Sequence, residues 1–174
     1  TSTIVTEYLR ESKLTPEPKI ATALFYGITA ETQDLGREST PADIEAAHFL
    51  YPYANKRRLA KIENARVPRG YFRGFRDGID QATLYDRVVV SMLGEVQYPD
   101  MVAEVADFLL RLDQVEWAAV IGIYEGSLHC SLRTTERDVN AGDVLQRVLG
   151  SRSAGGHDQI AGGRIEVGDD RAAR

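Results

Sequence analysis

A single cysteine, Cys130, stands among 174 residues. It excludes an internal disulfide and leaves no set of thiolates for a structural zinc site. No apolar run approaches the ~20 residues needed to cross a bilayer, and no signal-peptide pattern opens the chain. A cytoplasmic location is therefore expected. A surplus of positive charge is also missing, since 21 Lys and Arg are set against 26 Asp and Glu, for a net charge of -5. Wrapping of nucleic acid needs a broad basic surface to displace counterions. The composition argues against that mode, while a local Arg cluster can still grip one or two phosphates. The chain begins at Thr1 rather than Met and runs directly into a helix-like pattern, which points to a truncated or processed chain. With 43% hydrophobic residues, its length suffices for one domain or two small ones.

The first half reads as helices. Ile4, Val5, Tyr8 and Leu9 recur at helical spacing within Thr1 to Ser12. After the breaker Pro16 to Pro18, the run KIATALF predicts a helix that ends near Gly27. Pro41 follows the Ser39-Thr40 cap at a first helical position, and that helix stops before Pro52. Another is predicted over roughly Asn55 to Ala65. Glycine, arginine and aromatics then crowd together in VPRGYFRGFRDG, the best candidate for a linker, over 66–78.

The second half changes rhythm. RVVVSML, Val115 to Tyr124 and Ser127 to Arg133 predict strands, the last two joined by a Glu125-Gly126 turn. Helices are predicted over Pro99 to Leu112 and from the Asn140 cap to Leu149. A loop, SRSAGGHDQIAGGRIEV, leads into one more strand. The fold class is α/β, with a small mixed sheet in the order β-α-β-β-α-β, covered by helices on one face. The predicted organisation is a helical part over 1–65, the linker, the sheet domain over 79–168, and a disordered tail over 169–174 that ends GDDRAAR.

Three segments have the residue types for chemistry. AGGHDQIAGG packs four glycines and His157 into ten residues. Gly155 and Gly156 allow close backbone approach, and such loops form anion-binding nests. A generic Gly-rich loop, however, more often serves tight turns and leaves its histidine at the surface. In SLHCSLR, alternation places Leu128, Cys130 and Leu132 on one face and His129, Ser131 and Arg133 on the other. That polar face suits an anion, because guanidinium clamps phosphate, or it is an ordinary half-exposed strand. Cys130, on the apolar face, is expected to be a buried, inert thiol. In YGITAETQDLGR, Glu31 and Asp34 follow a helix end, where carboxylates can converge on a hard cation or simply be solvated. His48 sits among apolar residues and reads as packing rather than as a ligand.

Taken in order, these segments resemble the later motifs of the DHH phosphoesterase family, which includes RecJ-like exonucleases, nanoRNA phosphodiesterases and cyclic-dinucleotide phosphodiesterases. YGITAETQDLGR is similar to the last metal motif of its catalytic domain. SLRT, VNAG and AGGHDQIAGG are similar to the motifs of its DHH-associated C-terminal domain, whose hallmark is a Gly-Gly-His loop followed by Ala/Gly. The resemblance spans about Thr1 to Val167. It implies that 1–65 is the C-terminal part of a DHH domain and that 79–168 is the associated substrate-binding domain. It further implies that Arg133, Gly155, Gly156 and His157 contact the substrate phosphate or nucleotide. Glu31 stands where the family places a metal-binding Asp, one methylene longer, and Thr32 matches the family Thr. The family's earlier elements, His-x-Asp-x-Asp and Asp-His-His, have no equivalent in these 174 residues and are expected before Thr1.

The complete family enzyme uses Mn²⁺, two ions about 3.5–4 Å apart clamping the attacking and leaving oxygens. One carboxylate cannot position such a pair. The resemblance thus implies a substrate-binding half of a Mn-dependent phosphoesterase for short oligonucleotides or nucleotide phosphates. This chain would not hold Mn²⁺ stably and by itself would hydrolyse phosphodiesters weakly or not at all. The competing reading is a non-catalytic module that binds nucleotide or short single-stranded nucleic acid. A small-molecule regulatory domain has no motif in its favour.

Overall fold

The computed structural model describes residues 1–167, so the expected tail over 169–174 lies outside the described residues. The chain divides between Arg66 and Val67 into two compact units. No helix among the described residues is long and apolar enough to cross a membrane.

The first unit is helical: α1 (Ser2–Glu11), α2 (Pro18–Glu31), α3 (Pro41–Leu50) and α4 (Lys56–Glu63). Its starts are chemically marked. Thr40 and Asp43 form a reciprocal capping box ahead of α3, with Pro41 in its first turn. Asn55 Oδ1 accepts the Arg58 amide at 3.0 Å to open α4. Ala21, Ile28, Ala46, Ala47 and Leu50 form the core. Contrary to the expected stop near Gly27, α2 continues to Glu31. Gly27 is a contact point instead: a Cβ there would collide with Ser2 Oγ of α1. His48, expected to pack, is exposed on α3.

The second unit opens with α5 (Arg69–Asp80), so the segment expected as a linker over 66–78 is mostly helix. Its glycines recur every four residues and form one ridge. Cβ atoms added at Gly70, Gly74 and Gly78 would strike Gln97, Met101 and Val105 respectively, which are themselves four residues apart. The glycines therefore let α5 approach α6 (Asp100–Leu109) closely. Tyr71 and Phe75, on the neighbouring stripe, pack as a tilted ring pair 4.8 Å between centroids.

Six strands follow: β1 (Thr83–Tyr85), β2 (Val88–Glu95), β3 (Trp117–Tyr124), β4 (Ser127–Thr134), β5 (Ala154–His157) and β6 (Ile160–Glu166), with α7 (Ala141–Leu149) between β4 and β5. Their order in the sheet is β1-β2-β3-β4-β6-β5. β2 and β3 run parallel across α6, and the other neighbours are antiparallel. Glu125 and Gly126, with φ of 48° and 73°, make the two-residue β3–β4 turn.

The expectation of helices on one face is overturned. Ala118 and Val120 of β3 pack with Met101, Val102, Val105 and Ala106 of α6. Leu132 of β4 and Ala161 of β6 pack with Ala141 and Leu145 of α7. These strand residues have opposite parity, because Ala118 is paired with Arg133 and Ala119 with Leu132. The α6 side and the α7 side are therefore opposite faces of the sheet. β4 reads as half polar because its polar face is covered by a helix that brings its own carboxylate. Ser131 and Arg133 are only 4% and 8% exposed.

Candidate functional site

The segment expected as a loop is a hairpin, β5–β6, turning at Asp158-Gln159. Gly155, Gly156, Gly162 and Gly163 all lie outside the positive-φ conformations found in this chain, so they do not form a nest of the kind expected. What the hairpin builds is a floor. Ser131, Gly162 and Gly155 lie in one row across β4, β6 and β5, and Arg133, Ile160 and His157 lie in the next. All six occupy the α6 side of the sheet. A Cβ on Gly155 would meet nothing within 4 Å, and one on Gly162 would meet only Cys130 O at 3.9 Å. The middle row is thus an open trough of bare backbone.

The two glycines expected to act alike have different roles. Gly155 faces the trough. Gly156 belongs to the α7 parity, and a Cβ there would press against Ile160 O and come within 2.6 Å of Ala161 Cα. Gly163, with the same parity, abuts Leu149 of α7. One glycine of each pair leaves space for a ligand, and the other lets the backbone and α7 close up.

Arg133 forms the wall of the trough. Its Nε donates to Asp107 Oδ1 of α6 at 3.0 Å. Its Nη1 donates to Ser131 Oγ at 2.7 Å and to the carbonyls of Leu132 at 3.1 Å and Ala161 at 3.3 Å. Nη2 has no partner among the described residues. A cavity of about 270 Å³ opens beside this group, bounded by the start of α6 at Pro99 and Asp100, by His129 and Ser131, and by Gly162 and Gly163. The guanidinium was expected to face a phosphate, but Asp107 and Ser131 hold it, through Nε and Nη1.

His129 was placed on the polar face by alternation without being assigned a role. It lines the same cavity, its Nε2 is buried without a partner among the described residues, and its ring meets Tyr124 edge-on at 6.1 Å. His157 is exposed, two strands from Arg133 in the same row. Their Cα atoms are roughly 9–10 Å apart at the usual strand spacing. Cys130 points to the α7 side, is half-buried, and has its thiol pushed up by burial. Asp107 was missed. Its only signal in the sequence is an acid set within the apolar repeat of α6.

The expected metal segment lies in the first unit. Glu31 is exposed at the end of α2 and lines a cavity of about 180 Å³ with Glu38 and Asp43, but not with Asp34. Asp43 Oδ2 accepts from the Thr40 amide and the Thr40 hydroxyl, both at 2.8 Å. Its Oδ1 accepts from Thr3 Oγ1, and these bonds hold its carboxyl below the usual range despite partial burial. Thr32 is structural: its hydroxyl donates to Ile28 O at 2.8 Å and accepts the Leu35 amide at 3.0 Å, closing the end of α2. Glu31 joins no group of three or more convergent His, Cys, Asp or Glu ligands among the described residues. A hard cation needs several oxygen ligands, so Glu31 and its neighbours do not fit a pair of Mn²⁺ ions.

An uncharacterized protein of Methanocaldococcus jannaschii is 31% identical over 169 residues, which are 97% of this chain and 35% of that protein. An exopolyphosphatase-related protein of Bacteroides fragilis superposes with a TM-score of 0.77 at 12% identity, over 94% of this chain and 51% of that one. RecJ of Thermus thermophilus, solved with Mn²⁺, gives a TM-score of 0.41 at 21% identity, covering 89% of this chain and 21% of RecJ. The chain spans about a third of the curated relative and about half of the Bacteroides protein. The model of the DHHA1 domain matches residues 86–173, just over half of the chain and the larger part of its second unit, from after β1 onward. The chain belongs to the DHHA1 domain family.

Proposed function

We propose that this chain is the substrate-binding half of a cytoplasmic phosphoesterase acting on short oligonucleotides or nucleotide phosphates. The observation that carries the reading is the Arg133 guanidinium, nine-tenths buried and held by Asp107 and Ser131, on the wall of a cavity that Gly162 also lines. Low local dielectric strengthens a contact from such a group to phosphate. Rigid partners remove most of the entropic cost of orienting it. Bare backbone at Gly155 and Gly162 admits a sugar or phosphate close to the sheet. His157, at the end of the Arg133 row, supplies a second donor.

Metal activation of water is the chemistry that Mn²⁺ supplies to a complete enzyme of this family. Glu31 stands at the family's metal-motif position without convergent partners. This chain therefore binds and orients the phosphate, and hydrolysis by it alone is weak or nil. Removal of the Arg133 contact should weaken binding of a mononucleotide by ~1.5–3 kcal/mol, and removal of the His157 contact should weaken it in the same direction. Calorimetry on Arg133→Ala and His157→Ala checks this, and unchanged affinity in both would refute the assignment. A non-catalytic nucleotide-binding module shares the same trough. It is favoured instead if the 174-residue chain binds nucleotide with full affinity while no larger parent protein cleaves it.

A further inference from the structure

The strands β2 and β3 are apolar on both faces, and only one face is covered. The register pairs Val89 with Ala118 and Ser91 with Val120, and these four are buried on the α6 side. Val88, Val90 and Met92 of β2 and Ile121 and Ile123 of β3 have the other parity. Met92 is 64% exposed and the other four are half-buried. A sheet with one solvated face carries polar residues on that face. Here the order is inverted. Ser91 is on the covered side, where its hydroxyl donates to Gly78 O at 2.7 Å. The open positions from Val88 to Met92 and from Ala119 to Ile123 hold no polar side chain. Runs such as VVVSML and WAAVIGI belong to strands covered on both sides.

α7 covers only the other half of this face, where Leu145 clusters with Leu132 of β4 and Ala161 of β6. A Cβ on Gly142 would strike the Gly156 carbonyl, so that flank of α7 faces β5. At ~3.6 residues per turn, Val144 and Val148 lie on the opposite flank, toward β3, and Val148 is 73% exposed. At the far edge of the sheet, Tyr85 of β1 shares this face through its pairing with Val88 and is 61% exposed.

We propose that a second copy of this chain covers the bare β1–β3 half, in a face-to-face dimer with its two-fold axis along the strands. Such an axis lays bare half on bare half at the usual sheet separation of ~10 Å. Each α7 then falls beside the partner's edge strand, so that Val144 and Val148 meet the region of the partner's Tyr85. The surface is thus complementary to itself, as a closed two-fold contact requires. Three strands by about six residues make roughly 14 by 20 Å of apolar floor. That is the scale of the apolar centre of an interface burying about 800 Å² per partner. The residues after Val167, GDDRAAR, include no large apolar side chain to cover it.

Sedimentation equilibrium of the 174-residue chain over a dilution series tests the dimer. The wild type should approach twice the 19.3 kDa of one chain. Met92→Glu, placing an unpaired charge between the sheets, should raise the dimer dissociation constant more than about thirtyfold. Val148→Glu, at the flank, should raise it about fivefold. Phe72→Glu adds the same charge at a side chain of nearly equal exposure, 63%, on α5, which packs on the opposite face, and should leave the constant within about twofold. Circular dichroism confirms the fold of each variant. A wild type that is monomeric at every concentration overturns the proposal and assigns the cover to a segment of a longer parent chain or to another protein. An unmoved dimer in Met92→Glu or Val148→Glu, or equal loss in Phe72→Glu, overturns it as well.

Discussion

Gly155 and Gly156 are neighbours in sequence, equally exposed and both in extended backbone, yet the structure predicts opposite consequences for the same substitution. In Gly156→Ala the new methyl would press on Ile160 O and lie 2.6 Å from Ala161 Cα. Both are backbone atoms of the paired strand β6, so no side chain can rotate away. The Gly156 carbonyl is also packed against Gly142 at the start of α7, so a shift of β5 disturbs that helix. Overpacking of this kind costs about 1–3 kcal/mol. In Gly155→Ala the methyl would enter open space, and an extended backbone suits alanine. Lower entropy of the unfolded chain should then leave stability unchanged or raise it by up to about 1 kcal/mol. The same methyl would occupy the trough, so phosphate-ligand affinity should fall while the fold holds. Urea denaturation of both variants, with calorimetry on Gly155→Ala, measures all three quantities. Refutation would be Gly156→Ala as stable as the parent, or Gly155→Ala losing more than about 1 kcal/mol, since either result would invert the assignment of faces.

Two further outcomes follow from the second unit. Asp107→Ala removes the carboxylate bound to the Arg133 guanidinium; because Asp107 is about one-third exposed, the expected cost is about 1–3 kcal/mol rather than that of a fully buried pair. Adding Arg133→Met should recover part of it, and a double-mutant cycle by denaturation checks the coupling. Burial, followed by a hydrogen bond to Glu104, raises the Tyr71 phenol to about 12. A raised phenol favours the neutral form in the folded state, so its contribution to stability is complete below pH 10 and disappears between pH 10 and 12. A tyrosinate absorbance titration should show a late step that Tyr71→Phe removes, and a late step of the same amplitude in that variant would contradict the packing described.

Local chemistry was legible in the sequence wherever one residue settles one geometry. Thr40, Asn55 and Asn140 cap α3, α4 and α7 as their side chains dictate, and Glu125-Gly126 makes the β3–β4 turn. Alternation along β4 correctly separated Leu128, Cys130 and Leu132 from His129, Ser131 and Arg133. What alternation cannot reveal is what covers each face. α6 lies over the polar side and supplies Asp107, so an arginine expected to be free is mostly spent on the fold. Glycine misled twice for the same reason. Gly70, Gly74 and Gly78 read as linker punctuation, and Gly155 and Gly156 as a phosphate-gripping loop. In the structure the first three are helix-packing surface and the last two are strand. A missing side chain signals close approach as readily as a turn, and only the neighbour decides which. Glu31 was legible as a carboxylate after a helix end, but convergence with Asp34 was not, because the backbone turns through three successive left-handed residues from Gln33 to Leu35.

Amide chemical-shift mapping tests the location of the ligand most directly. Adenosine 5′-monophosphate titrated into the ¹⁵N-labelled chain should shift a contiguous set centred on Ser131, Arg133, Gly155 and Gly162, on the α6 side of the sheet. Shifts centred instead on Leu145 and Leu149 of α7, or an unperturbed spectrum at saturating nucleotide, would contradict the account.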